Sequence, residues 1–183
     1  MKCSKRLVLG LDISTSITGV TLANEEGILL CEYWDTRNKR KFPTLYEKAS
    51  FIRENLLTIS RQYNVSEIFI EQSLQSFRSG FSSAKTLSTL SRFNGIISWS
   101  CYEVFNTKPQ MLAAATARKQ AGVIIKRGDN AKEKVLQFVL DKYPKIAIEY
   151  TKHGNPKPGS YDMCDSLIIA SAGLVSGRKS SDT

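Results

Sequence analysis

The chain has almost no histidine: His153 is the only one. A His-rich metal site is thereby excluded. Cysteine is sparse as well. Cys3, Cys31, Cys101 and Cys164 show no CxxC spacing and have no histidine pair nearby. That argues against zinc and fits a reducing, intracellular compartment: cytoplasm, nucleoid, organelle matrix or a virus-infected cell. No apolar run approaches the roughly 20 residues that cross a bilayer, so no membrane partner is expected. The N-terminal MKCSKRLVLG is basic, but its short apolar stretch leads straight into Asp12, and no signal peptide is expected. Repeats, linkers and a second glycine-rich phosphate turn are missing too. The expectation is one domain over residues 1–176 with a flexible tail, 177–183.

These absences leave hard-metal, carboxylate-based chemistry open. What the chain has in excess is positive charge, with 26 Lys and Arg against 17 Asp and Glu, a net of +9. Such an excess favours a polyanionic partner. With 42% hydrophobic and 23% charged residues over 183 positions, the chain reads as a globular domain with a proper core.

The apolar pattern predicts strand, turn and strand over Leu7–Val20, a third strand over Ile28–Tyr33, and a basic loop, Arg37–Lys41. Leu45, Ala49, Ile52, Leu56 and Ile59 recur at helical spacing, which predicts a helix from Pro43 to about Tyr63. Glu67–Ile70 reads as a buried strand ending in Glu71, and polar Ser73–Ser83 as a loop. A helix is predicted from Lys85 to about Phe105, with Leu87, Leu90, Ile97 and Trp99 as core candidates. Gln110–Gln120 is ambiguous: its alanines favour helix, yet Met111 and Leu112 suit a short strand first. Asp129 or Asn130 caps a helix to Lys142 whose inner face carries Val135, Phe138 and Val139. Ser160 caps a last one, Tyr161–Val175. Strands first, then alternating helix and strand, predict an α/β domain with a mixed sheet.

Four acids stand out against this pattern. Asp12 follows an apolar run too hydrophobic to solvate it, and Glu71 ends another. A buried carboxylate without a partner costs several kcal/mol or takes up a proton. Asp162 and Asp165 are three apart, so on a helix they share a face. If the four converge, they are stable together only around cations. Two divalent ions, magnesium by preference, would then activate a water and stabilise the leaving oxygen of a phosphodiester. The hydroxyls of Ser14 and Thr15, in the turn after Asp12, suit phosphate.

In order and type these motifs resemble the RuvC-type Holliday junction resolvases, a branch of the RNase H-like nucleases. The resemblance runs from about Leu7 to Leu174. LGLDISTSITG is similar to the family's first-strand motif, with Asp12 as metal ligand. IFIEQS, with Glu71, is similar to the second, and YDMCDSLIIA, with Asp162 and Asp165, to the third. The helix after Ser82, with Ser91–Gly95, stands where the family has its central helix. The family's usual Pro-Gly after the first Asp is replaced by Ile13 and Ser14, while Thr18 and Gly19 are kept; viral or organellar relatives suit this pattern better.

The resemblance implies an RNase H-like five-stranded mixed sheet flanked by helices. It also implies a homodimer acting on a four-way DNA junction with two Mg2+ per site, Mn2+ substituting. Paired symmetric nicks would leave 5′-phosphate and 3′-hydroxyl ends. Leu74 and Phe77 stand where the family wedges the junction bases, with Arg78 beside them. Arg118, Lys119, Lys132 and Lys134 stand where it contacts phosphates. The helix over Lys85–Phe105, near Leu87, Leu90 and Ile97, is the expected dimer contact. An RNase H or a flap or fork nuclease shares the metal chemistry and stays open. An actin-like or sugar-kinase fold would need a second domain, and a binding module would leave the four acids unexplained.

Overall fold

The structure, a computed structural model, describes residues 6–72 and 84–178. Strands β1 (Val8–Ile13), β2 (Ile17–Asn24) and β3 (Gly27–Asp35) form an antiparallel meander. β4 (Glu67–Glu71) joins β1 in parallel, and β5 (Gln110–Leu112) joins β4 the same way. The result is one five-stranded mixed sheet in the order β3-β2-β1-β4-β5. The helices are α1 (Leu45–Gln62), α2 (Ala84–Phe105), α3 (Ala114–Ala121), α4 (Ala131–Lys142) and α5 (Ser160–Arg178).

Strand alternation divides the core in two. Leu9 and Leu11 of β1, with Val20 and Leu22 of β2, pack against Ile52 and Leu56 of α1 and Phe93 and Ile97 of α2. Val8 and Phe69 face the other way, against Leu167 and Ile168 of α5, Ala117 of α3 and Val135 of α4. On this second face the contact is unusually close. A Cβ on Gly10 would lie 2.5 Å from the backbone nitrogen of Ala170 and oxygen of Ser166, and one on Gly19 would overlap the backbone of Asp162. Only glycine at both places lets α5 settle onto β1 and β2.

Local chemistry sets most boundaries. Thr44 and Glu47 form a capping box that starts α1. Asn130, the second of the two expected caps, accepts a bond from the Lys132 amide and starts α4. The ambiguous Gln110–Gln120 resolves as strand β5 followed by α3, which Gly122 ends with a left-handed φ of 88°.

Four expectations are corrected. Trp99 is 64% exposed, not buried. It lies about 200° around α2 from Ile97, so the two cannot share a face. Ile97 itself is fully buried against the sheet and is withdrawn as a dimer contact. Ser160 does not cap α5 through its hydroxyl, which reaches the Glu149 carbonyl instead, at 3.5 Å. And α5 runs from Ser160 to Arg178, longer than the expected helix over Tyr161–Val175.

Candidate active site

The last Cα partners of the parallel pair are Leu11 and Ile70. One residue further along each strand stand Asp12 and Glu71. The two-residue alternation puts Asp12 on the face of Val8 and Gly10, and Glu71 on the face of Phe69, so both carboxylates look toward α5. Asp12 is the Cα partner of Gly19, and Gly19 is where the Asp162 backbone rests on the sheet. The glycine contact therefore delivers the opening turn of α5 to the end of β1. Asp165 follows one turn later and is 7% exposed.

Electrostatics show that the four acids share one field. Burial raises the Asp12 pKa well above the usual carboxylate range, and Glu71, Asp165 and Asp162 raise it further. Glu71 is pushed from 4.5 to about 7 by burial and by Asp165, with Arg118 and Lys132 opposing. Burial raises Asp162 and Asp165 as well. Lys132, on the first turn of α4, acts against the shift at all four. Its ammonium lies 5.9 Å from the centre of the Tyr161 ring, next to Asp162. Arg118 of α3 pairs with Asp165 at 3.6 Å, and its buried Nε–H finds no acceptor among the described residues.

Four oxygen-donor side chains of one charge in one field suit magnesium or manganese in type. As the side chains stand, no group of three or more His, Cys, Asp or Glu among the described residues is arranged to hold a metal ion. Asp165 is engaged instead by the Arg118 guanidinium.

The remaining residues singled out in the sequence are placed as follows. The Ser14 hydroxyl closes the β1–β2 turn, accepting from the Ile17 amide at 3.0 Å and donating to the Ile17 carbonyl at 2.7 Å. The Thr15 carbonyl accepts from Lys48 and from Thr36. Lys119 is exposed on α3. Lys134 is half-exposed and sits 3.8 Å from Asp129. His153 is exposed in the loop before α5. Leu74, Phe77 and Arg78 lie outside the described residues.

Sequence reasoning missed Asn94. It is buried within α2, and its side-chain amide donates to the Glu71 carbonyl at 3.3 Å, fixing the end of β4. The available signal was an asparagine flanking Phe93, on the apolar stripe that runs to Ile97 and Cys101.

No family model matches the chain, and no curated protein matches it by sequence. Solved structures do match. The T. thermophilus RuvC in complex with a Holliday junction substrate aligns with a TM-score of 0.66 at 15% identity, over 95% of this chain and 96% of that one. The fold is that of RuvC. A second T. thermophilus RuvC structure aligns at 0.65 and 16% identity, with the same coverage. The yeast mitochondrial Holliday junction resolvase Ydc2 aligns with this chain at 0.57 and 18% identity, over 94% of this chain and 78% of that one. The expected α/β class, with its five-stranded mixed sheet, is borne out.

Proposed function

We propose that the chain is a divalent-metal-dependent DNA endonuclease that resolves four-way junctions by paired nicks. The observation that carries this reading is the shared field of Asp12, Glu71, Asp162 and Asp165 at one end of the central strands of a RuvC-fold sheet. The net charge of +9 adds a surface for a polyanion. One T. thermophilus RuvC structure is of a complex with junction DNA, which supports the same class of substrate here.

In this reading the four carboxylates hold two magnesium ions, with manganese able to substitute. The chemistry such ions supply is activation of a water and stabilisation of the departing oxygen. The chain's own groups prepare the site. Lys132 and Arg118 favour the ionised acids. Lys119 and Lys134 extend the positive surface along α3 and α4. Leu74, Phe77 and Arg78 meet the junction bases and backbone, and Ser14 and Thr15 border the scissile phosphate. Matched nicks need two sites in fixed relation, which a twofold homodimer supplies. With Ile97 withdrawn, α2 offers Leu87, Leu90, Trp99 and Tyr102 for that contact.

The test is purified protein with magnesium, offered labelled four-way junction, flap, RNA–DNA hybrid and linear duplex in parallel. Paired symmetric nicks on the junction are expected. Preference for hybrid or flap would move the protein to another nuclease of the same chemistry, and no cleavage at all would overturn the reading.

A further inference from the structure

The connection between β3 and α1, residues 36–44, lies at the catalytic end of the sheet and is built rather than loose. Thr36, 1% exposed, donates its amide to the Ser16 carbonyl at 2.8 Å and its hydroxyl to the same oxygen at 3.1 Å. It is thereby tied to the turn that follows Asp12. Asn38 then folds a tight turn, its side-chain oxygen accepting the Arg40 amide at 3.0 Å and its carbonyl the Phe42 amide at 2.8 Å. Phe42 is buried beside Phe51 and anchors the far end. Lys48, from the first turns of α1, donates to the Thr15 carbonyl and ties the helix to the same turn.

This rigid frame presents Arg37, Lys39, Arg40 and Lys41, all exposed. Two are committed: Arg37 chelates Asp35 with contacts of 2.6–3.1 Å, and Lys41 lies over the rings of Phe42 and Phe51. Lys39 and Arg40 make no side-chain hydrogen bond or ion pair among the described residues. Lys39 also stands close enough to Lys48 to repel it. Uncompensated like charges on a fixed turn mark a place for an anion. Arg37 acts on Asp162 from this side, more weakly than Lys132 does. Cationic groups thus flank the acids on two sides.

We infer that the turn over residues 37–41 is a second phosphate-binding surface, on which Lys39 and Arg40 hold the DNA backbone as it leaves the acid cluster opposite α3 and α4. The inference rests on the nuclease reading and adds to it a path for the strand. It runs from Lys119 and Lys132 across the acids to Lys39 and Arg40.

The test is binding of a fluorescent four-way junction, with calcium replacing magnesium, measured from 50 to 200 mM salt. Three proteins are compared: wild type, Lys39→Ala/Arg40→Ala, and Lys142→Ala/Lys145→Ala. Lys142 and Lys145 line a cleft beside Gly27–Cys31, at the opposite end of the sheet, and remove the same charge. The expected result is that the slope of log affinity against log salt falls by about 2 in the first variant. Its affinity at 0.1 M salt should drop roughly tenfold or more, with the second variant near wild type. An unchanged slope in Lys39→Ala/Arg40→Ala, or an equal change in both variants, overturns the inference. A wild-type protein that does not bind the junction overturns the nuclease reading instead.

Discussion

The two faces of the sheet are built to opposite ends. Toward α1 and α2, β1 and β2 present Leu9, Leu11, Val20 and Leu22, all fully buried against apolar partners. Toward α5 the same strands present Gly10, Asp12, Gly19 and Thr21, and the helix answers with Asp162, Asp165 and Ser166. The first face follows the rule that apolar burial stabilises by about 25 cal/mol per Å². The second face departs from that rule at one end, where burial raises the pKa of every one of four neighbouring acids. Both faces hold a buried apolar core, and only at the end where Asp12, Glu71, Asp162 and Asp165 gather does the second carry charges that work against stability.

Removing one of those charges separates the two roles most sharply. In Asp12→Asn the amide keeps the shape but no longer repels Glu71, Asp165 and Asp162. Nicking should fall about a thousandfold or more, since several kcal/mol of transition-state stabilisation depend on the metal site. The metal-free protein should melt at a higher temperature than wild type. Nicking assays and calorimetry in EDTA check both halves. A variant that nicks normally, or that melts earlier, removes the contrast between the faces.

The complementary change is made on the face toward α1 and α2. Leu56 is fully buried in α1, and Leu56→Ala should cost 2–5 kcal/mol by cavity formation, an order-of-magnitude range. Denaturant unfolding measures that loss. The nicking rate per folded molecule should stay at the wild-type value, because no atom of Leu56 belongs to the acid cluster.

The acidic end of the α5 face was the more legible region in the sequence. A carboxylate ending an apolar strand is a local anomaly that needs no partner to be seen, and Asp12 and Glu71 both show it. Asp162 and Asp165 are seen from helical spacing alone. That the four meet depends on non-local facts: the parallel register of β1 with β4, and the approach of α5 through Gly10 and Gly19. The resemblance to the RuvC-type pattern stood in for them. On the face toward α1 and α2, apolar periodicity recovered α1 but misjudged Trp99, because α2 is apolar over more of its circumference than the sheet covers. Arg118 and Lys132 were recognised as cations, but sequence spacing does not reveal that folding turns them toward the acids.

Titration offers a third, smaller contrast. Glu71 is held near 7 against an ordinary 4.5, and the other three acids are raised as well. The folded state therefore binds more protons than the unfolded chain between pH 4.5 and about 7. Stability from this cluster is fully present below the ordinary carboxylate range and is lost as pH rises through the folded pKa values. Metal-free protein should be more stable at pH 5 than at pH 8, by an amount on the order of 2 kcal/mol. Magnesium should stabilise it more at pH 8, where the acids are ionised, than at pH 5. Thermal melts at both pH values, with EDTA and with magnesium, decide the matter; an equal magnesium effect at the two would count against a carboxylate metal site.

The smallest expected effect lies where the two faces touch. Asn94 belongs to α2, on one side of the sheet, yet its amide holds the backbone carbonyl of Glu71, whose side chain joins the acids on the other. Asn94→Leu replaces the amide with an apolar side chain of as many heavy atoms and removes that bond, at a cost of about 1 kcal/mol. If Asn94 only stabilises, the melting temperature falls and nothing else moves. If it positions the end of β4, the magnesium concentration for half-maximal nicking should rise several-fold. Junction affinity in calcium would then stay constant, because Lys39, Arg40 and the cations of α3 and α4 are untouched. A magnesium titration of nicking distinguishes the two roles, and an unshifted midpoint would confine Asn94 to the packing of α2 against the sheet.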